Sequence, residues 1–330
     1  MKTRKKEKVL FGPVCSRRLG RSLGIDLLPF KTCSMDCIYC ECGRTGHLET
    51  ERKEYYPLDS VFNELDMFFE TGEAVDYVTF SGVGEPTLHT GIGKIVDYIK
   101  EKRPDLKVCL LTNGTELDHE DLQESLHRLD LIVPSLDASC ETEFQQINRP
   151  APGVSFEQLV KAVTLFRKNV PEPRMYLELF IVPGINDGED SVARFREIIR
   201  QINPDRIQLN SLDRPGTEAD IPIPSGEHLA EMADRFRDIA AVDIISRKTA
   251  KLPDHITVGN VEELNAGIEK LLSEGVCDLA AMALKLNVPE IRLQEYLRRL
   301  VREGRIEQKH GKAYSLTEKQ KKTVSDDFSA

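Results

Sequence analysis

The sequence predicts an α/β fold: a parallel sheet built from six β/α units, followed by a second, smaller helical module. Three observations carry that prediction. Short apolar runs alternate with amphipathic stretches from about residue 22 to residue 247, the pattern of parallel strands joined by crossover helices. Glycine-rich and polar runs stand where the apolar runs end, and in β/α barrels the chemistry lies at the carboxyl ends of the strands. After residue 250 the alternation stops and helical periods follow one another.

The predicted strands cover residues 23–28, 74–80, 107–111, 131–136, 175–181 and 206–210. Helical periods fill 58–69, 92–100, 156–166 and 192–202. A linker over 248–260 separates this first domain, 1–247, from a second, 261–330. There the sequence predicts helices over 261–273, 277–285 and 289–303, then a hairpin over 304–316 that turns at His310-Gly311. Three helices followed by a hairpin resemble a winged helix-turn-helix, a module that binds nucleic acid in some proteins and protein partners in others. From residue 288 to 322 it carries ten Lys and Arg against five Glu, a local positive excess on a chain of net charge −10. Arg298, Arg299, Arg302 and Lys309 are the candidate contacts to a phosphate backbone. Solvation of a small helical bundle is the alternative reading of the same charges.

Composition sets the class. A chain of 330 residues holds one large domain, or a large one and a small one. Its 40% hydrophobic and 30% charged residues are those of a soluble globular protein. No apolar run is long enough to span a membrane. The basic start Met1-Lys-Thr-Arg-Lys-Lys-Glu-Lys8 lacks the apolar stretch of a signal peptide, so a cytoplasmic protein is expected. Five of the eight cysteines fall between Cys15 and Cys42, a crowding that points to metal binding rather than to a disulfide framework.

Cys33, Cys37 and Cys40 follow the first strand with the spacing Cys-x3-Cys-x2-Cys. Three thiolates on one short loop suit three irons of a [4Fe–4S] cluster. Such clusters usually have four cysteines, so the fourth iron keeps an open position, where a metal centre does chemistry. A structural zinc site with Cys42 as fourth thiolate is the competing reading.

The cysteine loop resembles that of the radical S-adenosylmethionine (radical SAM) superfamily. The resemblance extends over about residues 10–247 and implies a partial (β/α)6 barrel. It also implies a [4Fe–4S] cluster and SAM as cofactors, and cleavage of SAM to methionine and a 5′-deoxyadenosyl radical by one electron. A flavodoxin- or ferredoxin-type reductant and strictly anaerobic activity go with it. Tyr39 stands where the family places an aromatic residue over the cluster. Ser81-Gly-Val-Gly-Glu-Pro86 resembles the family's Gly-Gly-Glu-Pro turn, whose backbone meets the SAM amino group, with Val83 in place of the first glycine. The resemblance thus assigns Gly82, Gly84, Glu85 and Pro86 to the SAM pocket. It likewise assigns Thr112 and Asn113 of Thr-Asn-Gly, although Asn-Gly is also an ordinary strand-end turn. Ser135 and Asp137 alternate with Leu136, should face the same side of the fourth strand, and fall where the family binds the SAM ribose. A helix cap is the alternative for Asp137. Val182 and Asn210, at the ends of the fifth and sixth strands, complete the expected pocket on the adenine side.

Other residues divide less sharply. Arg149 and Arg174 are either carboxylate or phosphate contacts or solvated surface arginines. Cys15 and Cys42 are substrate-side thiols, ligands of a second cluster, or incidental; Cys109, inside a predicted strand, reads as core. Segments 11–44 and 80–88 resemble most the Fe–S oxidoreductases related to the wyosine-synthesis enzymes, which build a tricyclic base on a tRNA guanosine. Those enzymes carry further N-terminal cysteines, whereas only Cys15 precedes the cluster loop here. The resemblance thus implies modification of a macromolecule, tRNA or another RNA, with the winged helix holding the substrate. The alternatives are a radical SAM enzyme that modifies a protein or activates a glycyl-radical enzyme, and a non-catalytic Fe–S or SAM sensor whose winged helix binds DNA.

Overall fold

The computed structural model describes residues 8–245 apart from 17, 213–215 and 219, together with 261–273 and individual positions between 282 and 316. The alternating apolar runs form one sheet. β1 (Leu10–Ser16) and β2 (Gly20–Ile25) make an antiparallel hairpin. Short paired segments β3 (Thr32–Cys33) and β4 (His47–Leu48) follow, then α1 (Leu58–Glu70). The chain continues through β5 (Tyr77–Phe80), α2 (Ile92–Lys102), β6 (Lys107–Thr112), α3 (Glu120–Ser125) and β7 (Leu131–Pro134). It then adds α4 (Glu141–Ile147), α5 (Phe156–Asn169), β8 (Arg174–Phe180), α6 (Glu189–Ile202), β9 (Arg206–Asn210), α7 (Gly226–Asp234) and β10 (Ala241–Ile245).

The strand order is β1-β2-β5-β6-β7-β8-β9-β10, and every pair from β2 onward is parallel. An order that never reverses sends each crossover the same way round, because such connections are right-handed. The packing agrees. Val78, Phe80, Val108, Leu110, Leu177, Leu179, Ile207 and Leu209 share one core with Val61, Ile95, Val96, Val163, Phe166, Phe195 and Ile199 of the helices. Alternate strand residues face the other way, where Cys109, Leu131 and Val133 pack with Leu19 of the β1–β2 turn. The result is an open, barrel-like α/β sheet. Register then places Ile25, Phe80, Thr112, Pro134, Phe180 and Asn210 at one edge, from which the motif-bearing loops leave.

The six expected strands are present, and the sheet extends beyond them. β1 and β10 are added at its two edges. β1 contains Gly12 and Pro13, which an edge strand tolerates and a strand pattern hides. β10 is only partly buried and carries no clean alternation. The first strand ends at Ile25 rather than at residue 28, because Asp26, Leu27 and Leu28 turn into the cysteine loop with both leucines buried. The fourth ends at Pro134, Ser135 continues it only as an isolated bridge to Glu178, and Asp137 lies beyond the strand.

The chain divides into two compact units, Met1–Ala250 and Lys251–Ala330. The second contains α8 (Val261–Ser273), helical residues among positions 282–301, and a hairpin of β11 (Ile306–Gln308) with β12 (Tyr314–Leu316). Ile268, Met282, Leu293, Leu297, Leu300, Ile306 and Tyr314 form its core. No helix among the described residues is long and apolar enough to cross a membrane.

Candidate active site

The cysteine loop leaves the sheet after Asp26 and is closed by the pairing of β3 with β4. Backbone hydrogen bonds tie it to the end of α4: Asp36 N–H to Asn148 O at 3.0 Å, Ile38 N–H to Ile147 O at 2.9 Å, and Ala151 N–H to Ser34 O at 2.9 Å. Inside the loop, Cys40 N–H donates to Cys37 O at 3.1 Å and Gly43 N–H to Cys40 O at 3.1 Å. Residues 216–218 cross the loop, with Glu218 N–H donating to Ile38 O at 3.0 Å and Thr217 Oγ1 to Cys40 O at 3.3 Å.

Each of the three thiols meets one side-chain N–H donor. Asn113 Nδ2 lies 3.6 Å from Cys33 Sγ, Asn148 Nδ2 lies 3.5 Å from Cys37 Sγ, and Lys31 Nζ lies 3.1 Å from Cys40 Sγ. Burial, and then the nearby Glu85 carboxylate, push the Cys33 thiol up to about 12. Burial and the charge of Asp137 push Cys37 up as well. Cys40 moves the other way, to about 5, because the Cys42 thiol and then the Lys31 ammonium hydrogen-bond its thiolate. All three cysteines are free and none is fully exposed. Among the described residues no three His, Cys, Asp or Glu side chains are gathered tightly enough for a single metal ion. Three thiols on one loop, each with its own N–H donor, suit a polynuclear iron–sulfur cluster.

The glycine turn after β5 packs directly on this loop. A Cβ at Gly84 would stand 2.3 Å from Thr32 O, just before Cys33, and one at Gly82 would stand 2.3 Å from the Asp26 carboxylate. Gly82 also has φ +140°, a conformation L side chains rarely adopt. Val83 lies between them, partly exposed, its N–H donating to Asp26 Oδ2 at 3.2 Å. The departure from the family pattern therefore sits at the position that tolerates a side chain. Glu85 is buried and joins the next two motifs. Its carboxylate accepts Thr87 N–H at 3.0 Å, Thr87 Oγ1 at 2.6 Å, Thr112 Oγ1 at 2.6 Å and Asn113 N–H at 2.7 Å. Burial still holds its pKa above the usual carboxylate value. Asn113 is thereby aimed at Cys33 and at Ser34 Oγ, 2.8 Å away. Pro86 opens a 3-10 turn, Pro86–Leu88, that Glu85 caps.

Asp137 is 2% exposed and accepts Tyr39 Oη–H, Asn148 Nδ2–H at 2.9 Å and Phe180 N–H at 3.0 Å. Burial lifts its pKa to about 6 against the pull of those donors. Tyr39 stacks on Phe180 with ring centroids 3.9 Å apart. Val182 is fully buried against Ile38, Ile147 and Phe180, beneath the cysteine loop. Asn186 Nδ2 holds Asp137 O and Phe180 O at 2.8 and 2.7 Å. Ser135 stays partly exposed at the end of β7, and Asn210, at the end of β9, accepts Ser211 N–H at 2.9 Å. Asn148 is 3% exposed, and its Oδ1 is buried without a partner among the described residues. An orphaned buried acceptor costs about 1–3 kcal/mol. Turning the amide over would aim a carbonyl oxygen at the Asp137 carboxylate, so the orientation is fixed by chemistry.

The fold thus gathers Cys33, Cys37, Cys40, Tyr39, Glu85, Asn113 and Asp137 around one loop. Arg174 is left out: it begins β8, at the opposite edge of the sheet. Arg149 and Arg44 share the Glu218 carboxylate at 2.6 and 3.0 Å. Cys109 is core, as expected. Arg298, Arg299, Arg302, Lys309 and Cys277, and the side chain of Cys15, lie outside the described residues. Sequence reasoning passed over Asp26, Lys31, Asn148 and Asn186. Asn148 adjoins Arg149 in Ile-Asn-Arg-Pro, but no spacing rule links it to Cys37.

The family model described as "Radical SAM superfamily" matches residues 27–196, and the chain belongs to that superfamily. Members of the superfamily bind a [4Fe–4S] cluster and SAM. It is 32% identical over 70% of its length to a UPF0026 protein of Methanocaldococcus jannaschii, covering 72% of that protein. It is also 32% identical over 92% of its length to a protein of Brachyspira hyodysenteriae named GTPase Obg, of which it spans only 44%. More distant is the S-adenosyl-L-methionine-dependent tRNA 4-demethylwyosine synthase of Saccharomyces cerevisiae, 21% identical over 64% of this chain and 27% of that protein. Among solved structures, Streptococcus suis SuiB bound to S-adenosylmethionine shares the fold, with a TM-score of 0.52 at 13% identity over 72% of this chain and 53% of that one.

Proposed function

We propose that Cys33, Cys37 and Cys40 hold a [4Fe–4S] cluster with which the enzyme cleaves SAM reductively, in the cytoplasm, to modify RNA, tRNA above all. The observation that carries the cluster reading is the set of three free thiols on one loop, each facing one N–H donor. When bound, the cluster supplies the electron that splits SAM into methionine and a 5′-deoxyadenosyl radical. The protein's own part is positioning. The turn around Gly82 and Gly84 would offer its backbone to the SAM amino group, and Glu85 locks that turn to Thr112 and Asn113. Asp137 is enclosed by its three donors, so it orients Tyr39 and Asn148, while Ser135 remains for the ribose and Asn210 completes the pocket. Ile38, Ile147, Phe180 and Val182 close the loop's underside to water, which protects a reactive radical.

The RNA reading rests on the likeness to the wyosine synthase and on the basic residues of the second unit, which we take to be a winged helix with Arg298, Arg299, Arg302 and Lys309 on phosphate. A flavodoxin- or ferredoxin-type protein would donate the electron. The test is anaerobic turnover with and without small RNA from the source cells. RNA should stimulate 5′-deoxyadenosine formation, and Arg298→Ala with Arg299→Ala should remove the stimulation but not the basal reaction. Binding should weaken steeply with salt. Turnover that ignores RNA would contradict this reading and direct the search to protein substrates.

A further inference from the structure

The donors around the cysteines are costly to maintain. Asn148 leaves its own Oδ1 buried and unpaired in order to aim Nδ2 at both Cys37 Sγ, 3.5 Å away, and Asp137 Oδ2, 2.9 Å away. Native folds keep an orphaned buried acceptor only for a reason. Lys31 repeats the pattern. It holds a left-handed φ of 57°, is 6% exposed, and among the described residues has no carboxylate partner; its ammonium faces Cys40 Sγ at 3.1 Å. A buried ammonium requires a compensating negative charge. Asn113 completes the set at Cys33, its backbone fixed by Glu85.

We infer that Lys31, Asn113 and Asn148 are positioning residues that set the reduction potential of the cluster, one donor to each thiolate. The inference rests on the reading that these cysteines hold a cluster. Hydrogen bonds and positive charge at the sulfurs favour the more negative, reduced state of an iron–sulfur centre. The three residues therefore raise the potential and make the electron easier to accept. Asn148 has a second role. It links Cys37 to the Asp137–Tyr39 pair, so that a displacement of Tyr39 would be felt at one thiolate.

The test uses the full-length protein, reconstituted anaerobically with iron and sulfide. Wild type, Asn148→Leu, Lys31→Met and Lys31→Arg are compared by iron content and by a reductive titration followed through the electron paramagnetic resonance of the reduced cluster. Asn148→Leu and Lys31→Met should keep the cluster and titrate at lower potential. At the wild-type midpoint their reduced-to-oxidised ratio should fall roughly tenfold, ~59 mV for a one-electron couple. Lys31→Arg, which keeps the charge, should stay near wild type. Unchanged midpoints in both Asn148→Leu and Lys31→Met at full iron content would overturn the inference. So would loss of the cluster in both variants with unfolding midpoints unchanged, which would make the donors assembly residues. A wild-type protein that takes up no iron would instead overturn the cluster reading beneath it.

Discussion

At Gly84 the fold leaves no room for a single methyl group, because the Thr32 carbonyl oxygen lies 2.3 Å from where Cβ would be. Gly84→Ala should push the glycine turn off the cysteine loop. Overpacking of this kind costs about 1–3 kcal/mol, so urea unfolding should show that loss, and iron uptake should fall with it. Val83→Gly should keep full iron content and lose no more than about 1 kcal/mol, the ordinary entropy penalty of glycine. Glu85 gives a sharper contrast, since four donors converge on one carboxylate. Glu85→Ala should destabilise the protein by about 2–3 kcal/mol through the donors left unpaired. The three cysteines stood out because their crowding and spacing point to a metal site, and the resemblance to a known motif, not the spacing alone, pointed to a cluster. Asn148 did not, because a hydrogen-bond partner 111 residues away from Cys37 is chosen by the fold, and Lys31, only nine residues before Cys40, did not because its burial against that thiol is set by the loop's path.

The 3-10 turn and α2 are joined by His89, which is fully buried. Its Nδ1 accepts Gly91 N–H at 3.0 Å and its Nε2 donates to Tyr56 O at 3.0 Å, an arrangement open only to the neutral ring. Burial holds its pKa below the ordinary value of 6.5. The unfolded chain then binds the proton more readily than the folded one. Stability from this group is complete above about pH 6.5 and is lost as pH falls from there through the folded value. Against His89→Gln, the wild-type protein should lose relative stability on the acid side when unfolding free energies are measured from pH 8 to 5. At α5 the capping box of Ser155 and Gln158 predicts that Ser155→Ala lowers stability by about 1 kcal/mol, measured by urea unfolding. Elements were legible in proportion to their length and burial. α1, α2, α5 and α6 show their period over eleven to fourteen residues, whereas α3 and α4, at six and seven, are too short to display one. In the half-buried edge strand β10 the charged Asp243 interrupts the apolar run.

Across the first unit, strand order follows from the sequence because each β/α unit places its strand beside the last, and the site collects at the carboxyl edge because register aligns six strand ends there. Register itself has no signature in a buried parallel strand that is apolar on both faces. The second unit is legible as helices and a hairpin, but what it binds depends on side chains that composition alone places only as a charge excess. The proposed activity is SAM cleavage with a cluster held by Cys33, Cys37 and Cys40. The most direct measurement is 5′-deoxyadenosine formed by the anaerobically reconstituted protein with SAM and a strong reductant, beside Cys33→Ala, Cys37→Ala and Cys40→Ala. The account predicts 5′-deoxyadenosine from wild type and none from any of the three variants. A wild-type protein with a fully assembled cluster that forms no 5′-deoxyadenosine, or a variant that forms it undiminished, would contradict it.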